Sequence, residues 1–258
     1  MKNIKLTFAF MLLLGVVACK KNVTNPTTTG FSKNITTDDA ASMVTTSLSP
    51  STNGVASSVA DATLDASVMF NAHVQCGMTR SDTISRQNTR DSSLSYSFHL
   101  TYNFMVDCSN NVPDSLSSNL TWSGSFTGPN WSNSNSGSSI FGVGGLLPAD
   151  TAYVVNGEFK RSGSFSSKTD TSKHGNNSVD IVVSNLLVKK HWRTIEGGTA
   201  TFTITGDTPK KGSFSFTGTV VFNADGTATV TINGTVYTVN LTTSGWQRRD
   251  NGHEGHGD

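Results

Sequence analysis

The chain has 258 residues, 35% of them hydrophobic and 14% charged, with 24 glycines. Nineteen basic residues against 18 acidic ones give a formal charge of +1, so the chain has no overall electrostatic footprint for nucleic acid or anionic lipid. Serine and threonine supply roughly a quarter of it, and low charge with so much Thr, Ser and Gly excludes coiled coil and charged disorder.

Met1 to Lys5 carries two lysines, and Leu6 to Val17 is apolar. That run is too short for a bilayer of about 30 Å, which needs about 20 residues, and fits a secretory leader. It ends Val16-Val17-Ala18-Cys19, followed by Lys20-Lys21. This motif resembles the lipobox of bacterial lipoproteins: a branched apolar residue, small residues at the cleavage site and a cysteine that begins the mature chain. The resemblance implies a diacylglycerol on Cys19, loss of residues 1–18 and an anchor in the membrane. Lys20 in place of an acid implies the outer membrane. The chain is similar to β-rich envelope lipoproteins of the Bacteroidota; those displayed outside often carry an acidic run after the cysteine, which Asn22 to Thr37 lacks. Periplasmic face and cell surface both remain open. Removing Lys2 and Lys5 with the leader turns the charge from +1 to −1.

Residues 19–35 read as the lipidated N-terminus and a tether, with Pro26, Gly30 and no hydrophobic period. Thr36-Thr37-Asp38-Asp39 then has the form of a capping box, and Ala40, Ala41, Val44 and Leu48 follow at helical spacing up to Ser49-Pro50. A second helix spans about Val55 to Phe70, with Val55, Val59, Ala62, Ala66 and Met69 on one face. Both helices, within 36–72, are short and rich in small residues, so they need a sheet to lie on.

Beyond Ser92 the period becomes two. Leu94, Tyr96, Phe98, Leu100, Tyr102, Phe104 and Val106 alternate with polar residues, which predicts a long strand with one buried face. Leu120, Trp122 and Phe126 give the next apolar set. Tyr153, Val155, Phe159 and Phe165 follow, then Val179, Ile181, Val183 and Leu187. The last sets run from Ala200 to Ile204, Phe214 to Phe222, Ala228 to Ile232 and Tyr237 to Leu241. Ala224-Asp225-Gly226 and Asn233-Gly234 predict hairpin turns. Gly-Ser-Phe recurs at Gly124, Gly163 and Gly212, which places an inward aromatic after a strand glycine. Gly128 to Asp150, rich in Ser and Asn, reads as the longest loop, functional or disordered.

The expected fold is mainly β: an antiparallel up-and-down meander, as curved sheet, half-barrel or sandwich, with short N-terminal helices packed on it. It forms one domain over 36–246, followed by a polar tail, 247–258. With Cys19 lipidated, Cys76 and Cys108 remain as an even pair in an oxidising compartment, with Cys108 continuing the inward register of the long strand. They form either a disulfide or two separate buried thiols.

Nucleophile elbow, Walker loop, dinucleotide fingerprint and EF-hand patterns are missing, and no cofactor is implied. His253-Glu254-Gly255-His256 falls one residue short of a zincin motif, and Gly252 and Gly257 discourage the helix such a site needs. His253 and His256 are therefore weak metal candidates beside a solvated polar tail. His191-Trp192 after Lys189-Lys190 is a basic edge that fits an anion or glycan, or simply guards a strand edge.

Two function classes result. One is a lipid-anchored cell-envelope lipoprotein with a non-enzymatic binding or structural role, its partner an envelope protein or glycan. The other is a carrier of a small apolar or glycan ligand in a concave pocket lined by Trp122, Phe126, Phe159 and Phe165. That architecture is similar to envelope carriers of lipids and lipoproteins, in which helices close an antiparallel half-barrel. A hydrolase ranks third.

Overall fold

Period-two patterning over most of the chain produces one antiparallel sheet. The computed structural model describes residues 35–71, 75–88, 94–209, 211–241, 246–249 and 254–257. Ten strands follow one another in space as in sequence: β1 (Thr79–Asn88), β2 (Ser95–Ser109), β3 (Val112–Thr127), β4 (Trp131–Gly144), β5 (Ala152–Ser167), β6 (His174–Lys189), β7 (Ile195–Thr208), β8 (Gly212–Phe222), β9 (Thr227–Ile232) and β10 (Thr235–Asn240). Two four-residue strands, β11 (Trp246–Arg249) and β12 (Glu254–Gly257), extend the meander through the polar tail. The strand order is linear from β1 to β12, so the sheet is open rather than a barrel.

Two helices occupy one face, α1 (Thr37–Leu48) and α2 (Val55–Asn71), joined by a 3-10 turn at Pro50–Thr52. The Thr36–Asp39 capping box forms in both directions. Helix α1 lies against β6 and β9–β11, and α2 against β3–β5. Among the described residues no helix is long and apolar enough to cross a membrane.

The helix-facing side of the sheet and the helices share one core. Phe98, Leu100, Tyr102 and Phe104 are buried together, while Leu94 and Tyr96 are partly buried at its margin. The helices contribute mainly small side chains, among them Ala40, Ala41, Ala62 and Ala66. Polar clasps reinforce them. Lys173 bonds both carboxylate oxygens of Asp39, Tyr237 donates to Asp38 at 2.8 Å, and Arg86 reaches Asp61 at 2.6 Å and Ser57 at 2.7 Å. Tyr102 also donates to Asp61.

Three sequence expectations need correction. Residues 128–150 contain strand β4, paired along its length with β3 and β5. Its inward positions include Asn135, Gly137 and Ser139, so it lacks the apolar alternation that reveals a strand. Leu187 does not face the core: a bulge after Ser184, with Asn185 at φ 50°, puts Leu186 inside and leaves Leu187 exposed. Cys108 is exposed rather than buried with the inward set: it lies at the end of β2, beyond the core, where β3 carries an extra residue, Asp114, between the partners of Asp107 and Cys108.

The aromatic that follows each recurring glycine, Phe126, Phe165 and Phe214, is buried as expected, and a second kind of glycine–aromatic pairing crosses between strands. Phe98 lies directly opposite Gly124, Trp122 opposite Gly137, Phe141 opposite Gly157 and Phe202 opposite Gly218. In each pair the aromatic ring fills the space a side chain would take; a Cβ at Gly137 would stand 2.5 Å from the Trp122 ring. In these four pairs the aromatic belongs to the neighbouring strand, and the pairing fixes register across the sheet. The two expected hairpin turns form, with Gly226 and Asn233-Gly234 at positive φ.

Candidate functional site

The aromatics expected to line a concave pocket are core residues. Trp122 and Phe126 lie on β3, Phe159 and Phe165 on β5, and all four are buried beneath the helices. Trp122 stacks on Phe159 at 6.2 Å between centroids, and Phe98 meets Trp122 edge-on at 5.8 Å. Phe165 packs between Trp131 and Phe214.

One part of this interior is polar. Trp122, Gly137 and Arg161 are successive partners across β3, β4 and β5. Arg161 is buried, stands 4.9 Å from the Trp122 ring centroid, and donates to the carbonyls of Thr46 at 2.9 Å and Thr52. Burial away from any carboxylate pulls its guanidinium down to about 9. Its Nε, the Trp122 Nε1, the Asn135 Oδ1 and the Ser139 Oγ have no hydrogen-bond partner among the described residues. Sequence reading by hydrophobic alternation has no means of finding this patch.

The opposite face presents hydroxyl rows. Ser123, Ser136, Ser162, Ser178, Thr205 and Ser215 are directly cross-strand partners from β3 to β8, all exposed. Neighbouring strands lie about 4.8 Å apart, so such a row is a regular ladder of donors and acceptors. Within this face a groove of about 450 Å³ crosses β6–β8. Asp180, Val182, Thr201, Thr203, Thr217 and Thr219 line it, with Phe202 and Gly218.

Beside the groove, Lys160 pairs with Glu158 at 2.8 Å and approaches Asp180 at 3.7 Å. Burial, then the Glu158 carboxylate, pushes the Asp180 carboxyl up, and its Oδ1 has no partner among the described residues. The groove thus combines hydroxyls, one carboxylate and the methyls of threonine and valine, with its single nearby cation already paired. Such a lining suits a neutral polyhydroxyl ligand: oxygens meet its hydroxyls and methyls meet its C–H faces.

Of the other candidates, Cys76 and Cys108 are joined by a disulfide that ties the segment before β1 to the end of β2. Cys19 and His253 lie outside the described residues, and His256 falls on β12. Among the described residues no group of three or more His, Cys, Asp or Glu could hold a metal ion. His99 is exposed and contacts Ser85 at 3.3 Å. The sequence matches no family model, and neither the curated proteins nor the solved structures contain a match.

Proposed function

We propose that this chain is a lipid-anchored lipoprotein of the bacterial outer membrane with a non-enzymatic binding role, holding a neutral glycan on the exposed face of β6–β8. The groove lined by Asp180, Thr201, Thr203, Thr217 and Thr219 carries this reading. The helices cover the other face, and Trp122, Phe126, Phe159 and Phe165 are buried there. A carrier of apolar ligands would instead require α1 and α2 to lift from the sheet.

Two measurements test the proposal. Cys19→Ser should abolish incorporation of a palmitate analogue, and replacing residues 1–19 by an ordinary cleavable secretory leader should move the protein to the soluble envelope fraction. On an array of neutral oligosaccharides, the mature chain should bind, and the double variant Thr203→Arg/Thr217→Arg should lose about tenfold or more in affinity, since it fills the groove and adds charge. Thr83→Arg, on edge strand β1, should bind as wild type does. Equal binding by all three proteins, or none by the mature chain, would refute the glycan site.

A further inference from the structure

We propose that the paired β4–β5 and β6–β7 loop tips form a docking patch for an anionic lipid surface. Trp192 is 70% exposed and Leu147 53% exposed, each in a loop between strands. The two tips are one structure: the Lys190 Nζ donates to the Leu147 carbonyl at 2.6 Å, and the Lys190 amide donates to Thr151 at 3.3 Å. Pro148 and Ala149 complete the apolar crest, both exposed.

Cations surround it. Lys189, Lys190 and Arg193 flank Trp192, with His191 edge-on to its ring at 4.4 Å. Two acids lie nearby, and the three cations outnumber them by one. Glu196 pairs with Lys189 at 3.2 Å, and Asp150 accepts from the Leu147 amide at 3.1 Å. Lys190 and Arg193 remain without a carboxylate partner among the described ion pairs, so the crest carries a small positive excess. Indole and leucine side chains on a protruding crest, ringed by long cationic stems, match the interfacial zone of a bilayer: the apolar tips enter the acyl boundary while the cations meet lipid phosphates.

The patch can reach the membrane that would hold a lipid on Cys19. Helix α1 starts at the other end of the strands, where Asp39 bonds Lys173 beside the start of β6. Strand β6 has 16 residues, about 53 Å at 3.3 Å each. The 17 residues from Cys19 to Thr36 span up to about 60 Å when extended. This reach rests on the lipid-anchor reading; the patch itself does not.

The test uses residues 20–258, without lipid or leader, so that an anchor cannot contribute. Sedimentation with vesicles of phosphatidylcholine plus phosphatidylglycerol should show binding at low salt that weakens as salt is raised, and far less binding to phosphatidylcholine alone. Tryptophan emission should shift to the blue. The double variant Leu147→Ser/Trp192→Ser should weaken vesicle binding about tenfold or more and abolish the shift. Its circular dichroism and its melting temperature should match wild type, both side chains being exposed. Failure of the wild-type chain to bind mixed vesicles would overturn the proposal. So would equal binding by the double variant, or glycan binding that depends on Trp192 in place of vesicle binding.

Discussion

Truncating Phe98 tests the fold most directly. Phe98 is buried in the middle of β2, stacks with Tyr96 at 5.7 Å, meets Trp122 edge-on at 5.8 Å, and covers the bare backbone of Gly124. Phe98→Ala removes about 2–3 kcal/mol of transfer free energy and about 0.5–1.5 kcal/mol from the ring pairs. The hole over Gly124 adds to this, because a glycine has no side chain with which to close it. The total should fall near 3–5 kcal/mol, as for other buried aromatic truncations. For a body of this size that is about 6–20 °C in melting temperature. Ser97, on the exposed face opposite Ser125, should change stability by no more than about 0.5 kcal/mol when replaced by alanine. Denaturant midpoints at constant slope measure both. A cost below about 1 kcal/mol at Phe98, or equal costs at both residues, would refute the assignment of faces.

Opening the Cys76–Cys108 disulfide, which spans 32 residues, should cost about 3–4 kcal/mol through regained loop entropy. Unfolded but unreduced mature protein should titrate with no free thiol. The Asp65 carboxyl is pushed up, mainly by burial, against the opposing charge of Arg80. Its proton is therefore held more tightly in the folded state, so stability falls as pH rises from the usual 3.8 through the raised value and regains that loss on acidification. Asp65→Asn should flatten this part of the stability profile; an unchanged slope would assign the pH dependence to other groups.

The strands whose inward positions are apolar were legible in the sequence, as were the capping box and the hairpin turns. The sequence was harder to read where the interior is polar or the register slips. Strand β1 escaped because its inward-facing positions include Arg80, Asp82 and Arg86, two of which pair with acids on α2. The bulge at Asn185 escaped because Leu186 and Leu187 are equally apolar, so alternation alone cannot choose between them. The groove on β6–β8 was invisible for the opposite reason: its threonines are what any solvated strand face carries, and only the register brings them together.

Strand β4 links the misread segment to the way the helices are held. Its inward positions Asn135, Gly137 and Ser139 lie beside Trp122 and Arg161, under the turn between α1 and α2. An apolar side chain at Gly137 would collide with the Trp122 ring, and the ring supports the Arg161 guanidinium. Arg161 in turn holds the carbonyls of Thr46 and Thr52, at the end of α1 and in the turn that follows it. The missing hydrophobic alternation in β4 thus follows from what lies above it. A charged side chain anchors the helix corner there, and the strand beneath must stay small and polar to make room for it. The Thr52 hydroxyl adds bonds to the carbonyls of Thr46 and Ser49, and the Gly54 amide bonds the Ser49 carbonyl, so the corner is fastened from both the sheet and the turn itself.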